Sequence, residues 1–315
     1  MSGPPARRPA APTGLARGWA WLADGPGFLL LMLLPSLVVL GLVIGVPILR
    51  AVEMSFGTLN LRRPALNNET GLHNYIKLAG DRRAWAALGL SALYMAGTVV
   101  GSVGLALAAA LLTRHLARGR ALLRLAFLMP WTVPAVVTAL VWGVMYDGSF
   151  GVVNRLLDWA GLGPGANWLI DRDTVIWALL VAQIWNEFPM AFVFLLAGLM
   201  AIPNELYEAA RIDRAGAWAQ FRFITLPGLR HVLAVTVVLC MIMGFKAFPI
   251  IFVLTGGGPN RASETLTVLT FTTAFRELDF AYAATLGVLA LAVSALMVAG
   301  YLRLMLRPDD GRDGP

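Results

Sequence analysis

Six stretches of the chain are almost continuously apolar, at 27–49, 86–112, 121–145, 174–200, 231–254 and 281–301. At about 1.5 Å of helical rise per residue, each is long enough to cross the roughly 30 Å of bilayer hydrocarbon. Lipid offers no partner to a backbone N–H or C=O, so such runs have to satisfy their own hydrogen bonds as helices. The pattern predicts an all-α membrane protein of six transmembrane helices: a disordered tail at 1–26, a membrane domain at 27–305 and a second tail at 306–315. A secretory signal has an apolar core of only about 7–15 residues, whereas the first run is longer and continues into Pro47-Ile48-Leu49-Arg50, which makes it an uncleaved span.

Proline interrupts several runs, as Pro35 in the first, Pro130 and Pro134 in the third, Pro189 in the fourth and Pro249 in the fifth. Each removes a donor and frees a carbonyl that neighbouring helices, side chains or water must satisfy, so bent and closely packed helices are expected. Pro35 needs no such role, because proline is common in membrane helices generally.

The stretch 203–227, between the fourth and fifth runs, is polar yet helical in period. Pro203 and Asn204 read as a helix start, Gly216 as a break and Leu226-Pro227 as a second stop, giving a short helix, a turn and another short helix. Glu208 and Arg211 share one face, while Ala209 and Ala210 keep part of the surface low enough for close approach by another protein. The pattern is that of a docking element; the plainer reading is an amphipathic linker.

Composition agrees with the membrane reading, since 58% of residues are hydrophobic and 14% charged, against about 25% charged in soluble domains. The net charge of +7 raises the possibility of nucleic-acid binding, but the chain has two lysines, Lys77 and Lys246, and its arginines are scattered among loops. Their distribution sets orientation instead. With the N-terminus inside, inner segments carry Arg114, Arg118, Arg120 and Arg124, then Arg211, Arg214, Arg222 and Arg230, then Arg303 and Arg307. The later outer loops hold Arg155 with Arg172 and Arg261 with Arg276; the first outer loop, with Arg62, Arg63, Lys77, Arg82 and Arg83, is the exception. Both termini and the docking loop are therefore expected in the cytoplasm. Trp85, Trp131, Trp142, Trp168 and Trp177 stand near span ends, as interfacial anchors do, and the single Cys240 lies inside an apolar run, where it reads as a small core residue.

Catalytic signatures are missing. The chain has no Gly-x-x-x-x-Gly-Lys phosphate loop, no Gly-x-Ser-x-Gly elbow and no His-Glu-x-x-His, and His73, His115 and His231 are too dispersed for a metal site. An enzyme is not indicated, no catalytic or metal residues are assigned, and no cofactor is expected on this chain. An ion-coupled secondary transporter is the rival reading, but such carriers usually show several intramembrane ionisable groups and internal repeats. Here Glu187 and Lys246 alone stand clearly at depth, and no repeat is evident.

The order Glu208-Ala209-Ala210, Asp213, Ala215, Phe221 and Ile224-x-Leu226-Pro227 resembles the EAA loop of binding-protein-dependent ABC import permeases. Arg214 stands where that family usually has Gly, and His231 where it often has Pro, which suggests that the turn moves to Gly216. Asn74-Tyr75, Trp142, Asn154, Ala197-Gly198-Leu199-x-x-Ile202-Pro203, Leu254-Thr255-Gly256-Gly257-Gly258-Pro259 and Asp279-Phe280-Ala281-Tyr282-Ala283 resemble its carbohydrate-uptake branch, in particular the first of its two paired permeases. By composition alone the glycine run would be a flexible outer turn.

The resemblance implies a type I ABC importer permease in a bacterial inner membrane. It implies a second homologous permease, a dimer of ATPase subunits carrying the ATP and Mg, an extracytoplasmic solute-binding protein and a sugar-like substrate. It places Glu208, Ala209, Ala210, Asp213, Gly216 and Pro227 in ATPase coupling. For the solute path, Gln183, Asn186 and Glu187 form one stripe at i, i+3 and i+4 on the fourth span. Counting from the outer ends puts Glu187 roughly 20 Å deep and Lys246 about 12–14 Å deep. The two would approach along one cavity, as an ion pair or as groups touching solute, with Trp185 and Phe248 available to stack on a sugar ring.

Overall fold

The computed structural model describes residues 26–59, 70–115, 119–162 and 167–305. Apart from Pro26, the tails expected at 1–26 and 306–315 lie outside these residues, as do Arg62, Arg63 and Arg118. The chain divides into two units after Met54. The described residues of the first form one helical run, α1 (Pro26–Leu40), a π turn (Gly41–Gly45) and α2 (Val46–Ser55), whose last residue already belongs to the second unit. Pro35 lies within α1, which continues past it, and α1 carries apolar side chains on every face.

In the second unit the order is α3 (His73–Gly80), α4 (Arg82–His115), α5 (Arg120–Thr132), α6 (Ala135–Met145), α7 (Val152–Trp159) and α8 (Val175–Ala201). The helix-turn-helix follows as α9 (Asn204–Ile212) and α10 (Ala217–Gln220), then a π turn (Phe221–Thr225) and α11 (Leu226–Gly228). The chain ends with α12 (Arg230–Phe245), α13 (Pro249–Thr255), α14 (Leu266–Phe275) and α15 (Phe280–Met305). No strand element occurs among the described residues, and five helical runs are long and apolar enough to cross a membrane. The expected third span is the pair α5 and α6, bent by 100°, and counting it as one span makes six.

Most of α8 is buried, and α4 and α12 pack along it. Lipid supplies no hydrophobic drive between helices, so close approach of small residues has to supply contact. Gly97 and Gly101, one turn apart on α4, lie under Leu180 and Ile184 of α8; a Cβ at Gly101 would overlap the Ile184 side chain. Gly244 of α12 does the same against α4, where a Cβ would lie 3.2 Å from the Met95 Cα. Cys240 is buried in this packing, as expected.

Two breaks follow from proline, and a neighbouring helix closes each. Pro134 has no N–H and pushes Val133 into extended backbone (φ −86, ψ 122), which parts α5 from α6. The amide of Asn186 on α8 donates to the carbonyls of Pro130 (3.3 Å) and Val133 (3.2 Å) there, and to Thr138 Oγ1 (3.1 Å). At the second break, between α12 and α13, Pro249 opens α13, and Thr267 Oγ1 donates to the Ala247 carbonyl at 2.8 Å.

Two of the cations expected in the first outer loop, Arg83 and Lys77, have counter-ions. Arg83 forks onto Glu264 (2.6 and 2.9 Å) and reaches Glu277 (2.7 Å), and Lys77 pairs with Asp279 (3.2 Å) while sitting over the Tyr282 ring. Beside them Tyr282 Oη donates to Asp81. Burial alone would raise the Asp81 carboxyl, but hydrogen bonds from Tyr282 and the Ala84 and Arg83 amides, with the Arg83 charge, outweigh it and hold the group below its ordinary value. The Thr-Gly-Gly-Gly-Pro stretch is a folded turn and not the flexible one that composition suggests. Gly256 and Gly257 take left-handed backbone, and the Thr255 and Ser263 hydroxyls bond each other at 2.7 Å. Of the tryptophans expected at span ends, Trp85, Trp131 and Trp177 are exposed; Trp142 is buried and Trp168 packs beside it, so these two are core residues.

Candidate functional sites

The polar loop folds as the spacing predicts at its first end. Pro203 precedes the first turn of α9, and Glu205 stands in that turn, where the helix dipole favours an acid. The turn after it differs. Arg214 itself takes left-handed backbone (φ 56), whereas Gly216 is extended (φ −67, ψ 168) and precedes α10. The turn has not moved to Gly216; Arg214 occupies the conformation that a glycine adopts without strain. Nor does Leu226-Pro227 stop the helix. The π turn lets the Leu226 N–H reach back to the Phe221 carbonyl, and the chain continues helically through Pro227 into α12.

The loop is tied to the membrane helices at two places. Tyr207 Oη and the buried Thr225 Oγ1 bond at 3.0 Å, joining α9 to the end of the π turn. Arg114, near the end of α4, lies over the Tyr207 ring at 4.1 Å and donates to Asn204 Oδ1 at 3.3 Å. A displacement of α9 would therefore be felt by α4 and α12 together. Elsewhere the loop is bare: Glu208 and Ala209 are exposed, with Ala210 half-buried. Asp213 and Pro227 are exposed too, and so are large apolar side chains, Leu206, Ile212 (82%), Trp218 (75%) and Phe223 (75%). Apolar groups this bare on a polar loop mark a contact surface.

The polar residues of α8 do not form one surface. Gln183 and Glu187 are buried: Gln183 accepts from Tyr94 Oη at 3.3 Å and donates to Glu187 Oε1, while Glu187 Oε2 has no partner among the described residues. Asn186 is committed to the α5–α6 break. Trp185 is half-buried against Trp142, with ring centroids 6.1 Å apart. The ion pair considered between Glu187 and Lys246 is not formed. Glu187 turns into the α4–α8 packing, whereas the exposed Lys246 lines a separate cleft of about 760 Å³ between α12, α14 and α15, with Phe248. In that cleft Phe248 stacks with Phe252 (4.9 Å) and meets Phe271 (5.0 Å).

Residues 101–307 match the family described as "Binding-protein-dependent transport system inner membrane component". The chain belongs to this family. Its relatives include the trehalose/maltose transport system permease protein MalF of Thermococcus litoralis, 36% identical over 76% of this chain and 81% of that protein. The sulfoquinovosyl glycerol transport system permease protein SmoG of Agrobacterium fabrum is 31% identical over 94% of this chain and 96% of that one. Among solved structures, a bacterial ABC transporter involved in the import of alginate aligns over 93% of this chain and 100% of that one, with a TM-score of 0.76 at 21% identity. The fold is thus that of an ABC importer permease, a transport component and not an enzyme, and the family decides against the ion-coupled carrier.

Sequence reading of this permease missed residues that the fold makes important. Tyr94, Tyr207 and Thr225 carry no signal separable from ordinary apolar or small polar positions. Gly97 and Gly101 did carry one, a pair of glycines four apart within an apolar run. Among the described residues, no group of side chains has the make-up of a metal site.

Proposed function

We propose that the permease is the membrane-spanning half of an ATP-driven sugar importer of a bacterial inner membrane, with both termini in the cytoplasm. A second homologous permease completes the pathway, a dimer of ATPase subunits binds the ATP and Mg, and an extracytoplasmic binding protein delivers the solute. The observation that carries the reading is that exposed Glu208 and Ile212, one turn apart on α9, belong to a loop fastened to α4 and α12. ATP-driven closure of the ATPases moves this loop, and the Tyr207–Thr225 and Arg114–Asn204 contacts pass the motion to the spans, which rock between inward- and outward-facing states. Glu208, Ala209, Ala210 and Asp213 form the contact, with Gly216 and Pro227 shaping the chain behind it. The names of the relatives support a carbohydrate solute. Lys246 and Phe248 meet that solute, Trp185 stacks beside the path, and Gln183, Asn186 and Glu187 hold the helices that frame it.

A desolvated charge-assisted contact by Glu208 is worth about 1.5–3 kcal/mol. Glu208→Lys reverses the charge on an exposed residue and leaves the fold intact. The variant is expected at normal membrane abundance, with the ATPase lost on purification and uptake abolished. Retention of the ATPase together with parental uptake would remove the docking assignment.

A further inference from the structure

Lys246 has no counter-ion among the described residues, and no acidic side chain among them lines its cleft. It lies at the break inside a run, Arg230–Thr255, that is long and apolar enough to cross a membrane, where an uncompensated ammonium is costly. The other lysine shows the contrast, since Lys77 is paired with Asp279.

The rest of the lining narrows what supplies the missing charge. Thr267, Thr270 and Ser294 already donate their hydroxyl protons to the carbonyls of Ala247, Leu266 and Ala290, at 2.8, 2.7 and 2.7 Å. Their oxygens remain able to accept. The cleft thus offers acceptors for ligand hydroxyls, aromatic faces on Phe248 and Phe271 for an apolar ring face, and a single strong donor that is charged. A neutral sugar would leave the ammonium unmatched. We propose that this cleft binds a sugar carrying one anionic group, a carboxylate, sulfonate or phosphate, and that Lys246 is the residue selecting for that charge. The assignment rests on the sugar-importer reading and names its substrate class.

Because the chain has only two lysines, both are separately visible by NMR. The importer is assembled from this chain carrying [ε-13C]lysine and unlabelled partner subunits, in phosphatidylcholine nanodiscs, and titrated with D-glucuronate or D-glucose. These share a ring and differ by the carboxylate. The expected result is a saturable shift of the Lys246 signal with glucuronate at a half-saturating concentration at least about tenfold below that of glucose, the Lys77 signal holding still as a control for the fold. Lys246→Met should abolish that preference in glucuronate-stimulated ATP hydrolysis. Equal responses to the two sugars overturn the proposal. So does a Lys246 signal that moves only when phosphatidylglycerol is added, which makes the partner a lipid headgroup, or only on assembly with the second permease, which makes it a subunit carboxylate. Uptake of a neutral sugar with Lys246 indifferent to glucuronate would leave the importer reading standing and this assignment refuted.

Discussion

Replacing Asn186 tests the account of the α5–α6 bend, because its amide is the side-chain donor that the structure places there. Two N–H protons are shared among Pro130 O, Val133 O and Thr138 Oγ1. The Val133 N–H also reaches Pro130 O at 3.3 Å, so that carbonyl keeps a partner when Asn186 is changed. The loss reduces to about one carbonyl left in a half-buried site. An unsatisfied buried acceptor costs about 1–3 kcal/mol, while interhelical hydrogen bonds in membranes average nearer 0.6 kcal/mol. Asn186→Leu, of similar size without donors, should therefore lose about 1–2 kcal/mol. Asn186→Asp sets an acceptor against two carbonyls at membrane depth and should lose about 3 kcal/mol. Equilibrium unfolding of the detergent-solubilised permease, followed by tryptophan fluorescence with Trp131 beside the bend, measures both. The reasoning fails if Leu and Asp are equally tolerated, or if Asn186→Leu weakens solute affinity at unchanged stability, which would put the side chain in the solute path.

Arg214→Gly should tighten the turn between α9 and α10: left-handed backbone costs an L-residue about 1–2 kcal/mol, glycine returns about 0.5–1 in unfolded-state entropy, and the net gain is roughly 0.5–1 kcal/mol. Hydrogen exchange at the Arg214 and Ala215 amides, which close the turn onto Arg211 O and Ala210 O, should slow about two- to fivefold, and unchanged exchange would argue against strain there. The Asp81 carboxyl, held below its ordinary value of 3.8, contributes stability that is present above that pH and lost as pH falls through the lower folded value. Asp81→Asn should therefore flatten the acid limb of a stability profile taken from about pH 5 to about pH 2, and a variant that keeps the parental slope contradicts the assigned hydrogen bonds.

The apolar runs, the polar loop and the proline positions were enough to determine the all-α membrane class, the six candidate spans and the helix-turn-helix. These depend on local demands, hydrocarbon thickness and backbone hydrogen bonding, that each segment meets or fails alone. The charge bias was legible too, but its exception was not, because Arg83 and Glu264 are 181 residues apart and only folding makes them a pair. The same limit applies to α8. Spacing places Gln183, Asn186 and Glu187 on one side of a helix, yet a helix in a bundle has neighbours on several bearings, and those neighbours take Asn186 to a broken helix and Glu187 to Gln183 and the α4 packing. Sequence shows that a glycine is missing at 214, whereas only the backbone shows that Arg214 accepts the left-handed turn in its place. Lys246 stands apart from Glu187 because the break before Pro249 sends it into another cleft; helical counting gives depth along a span, and packing alone decides direction around it.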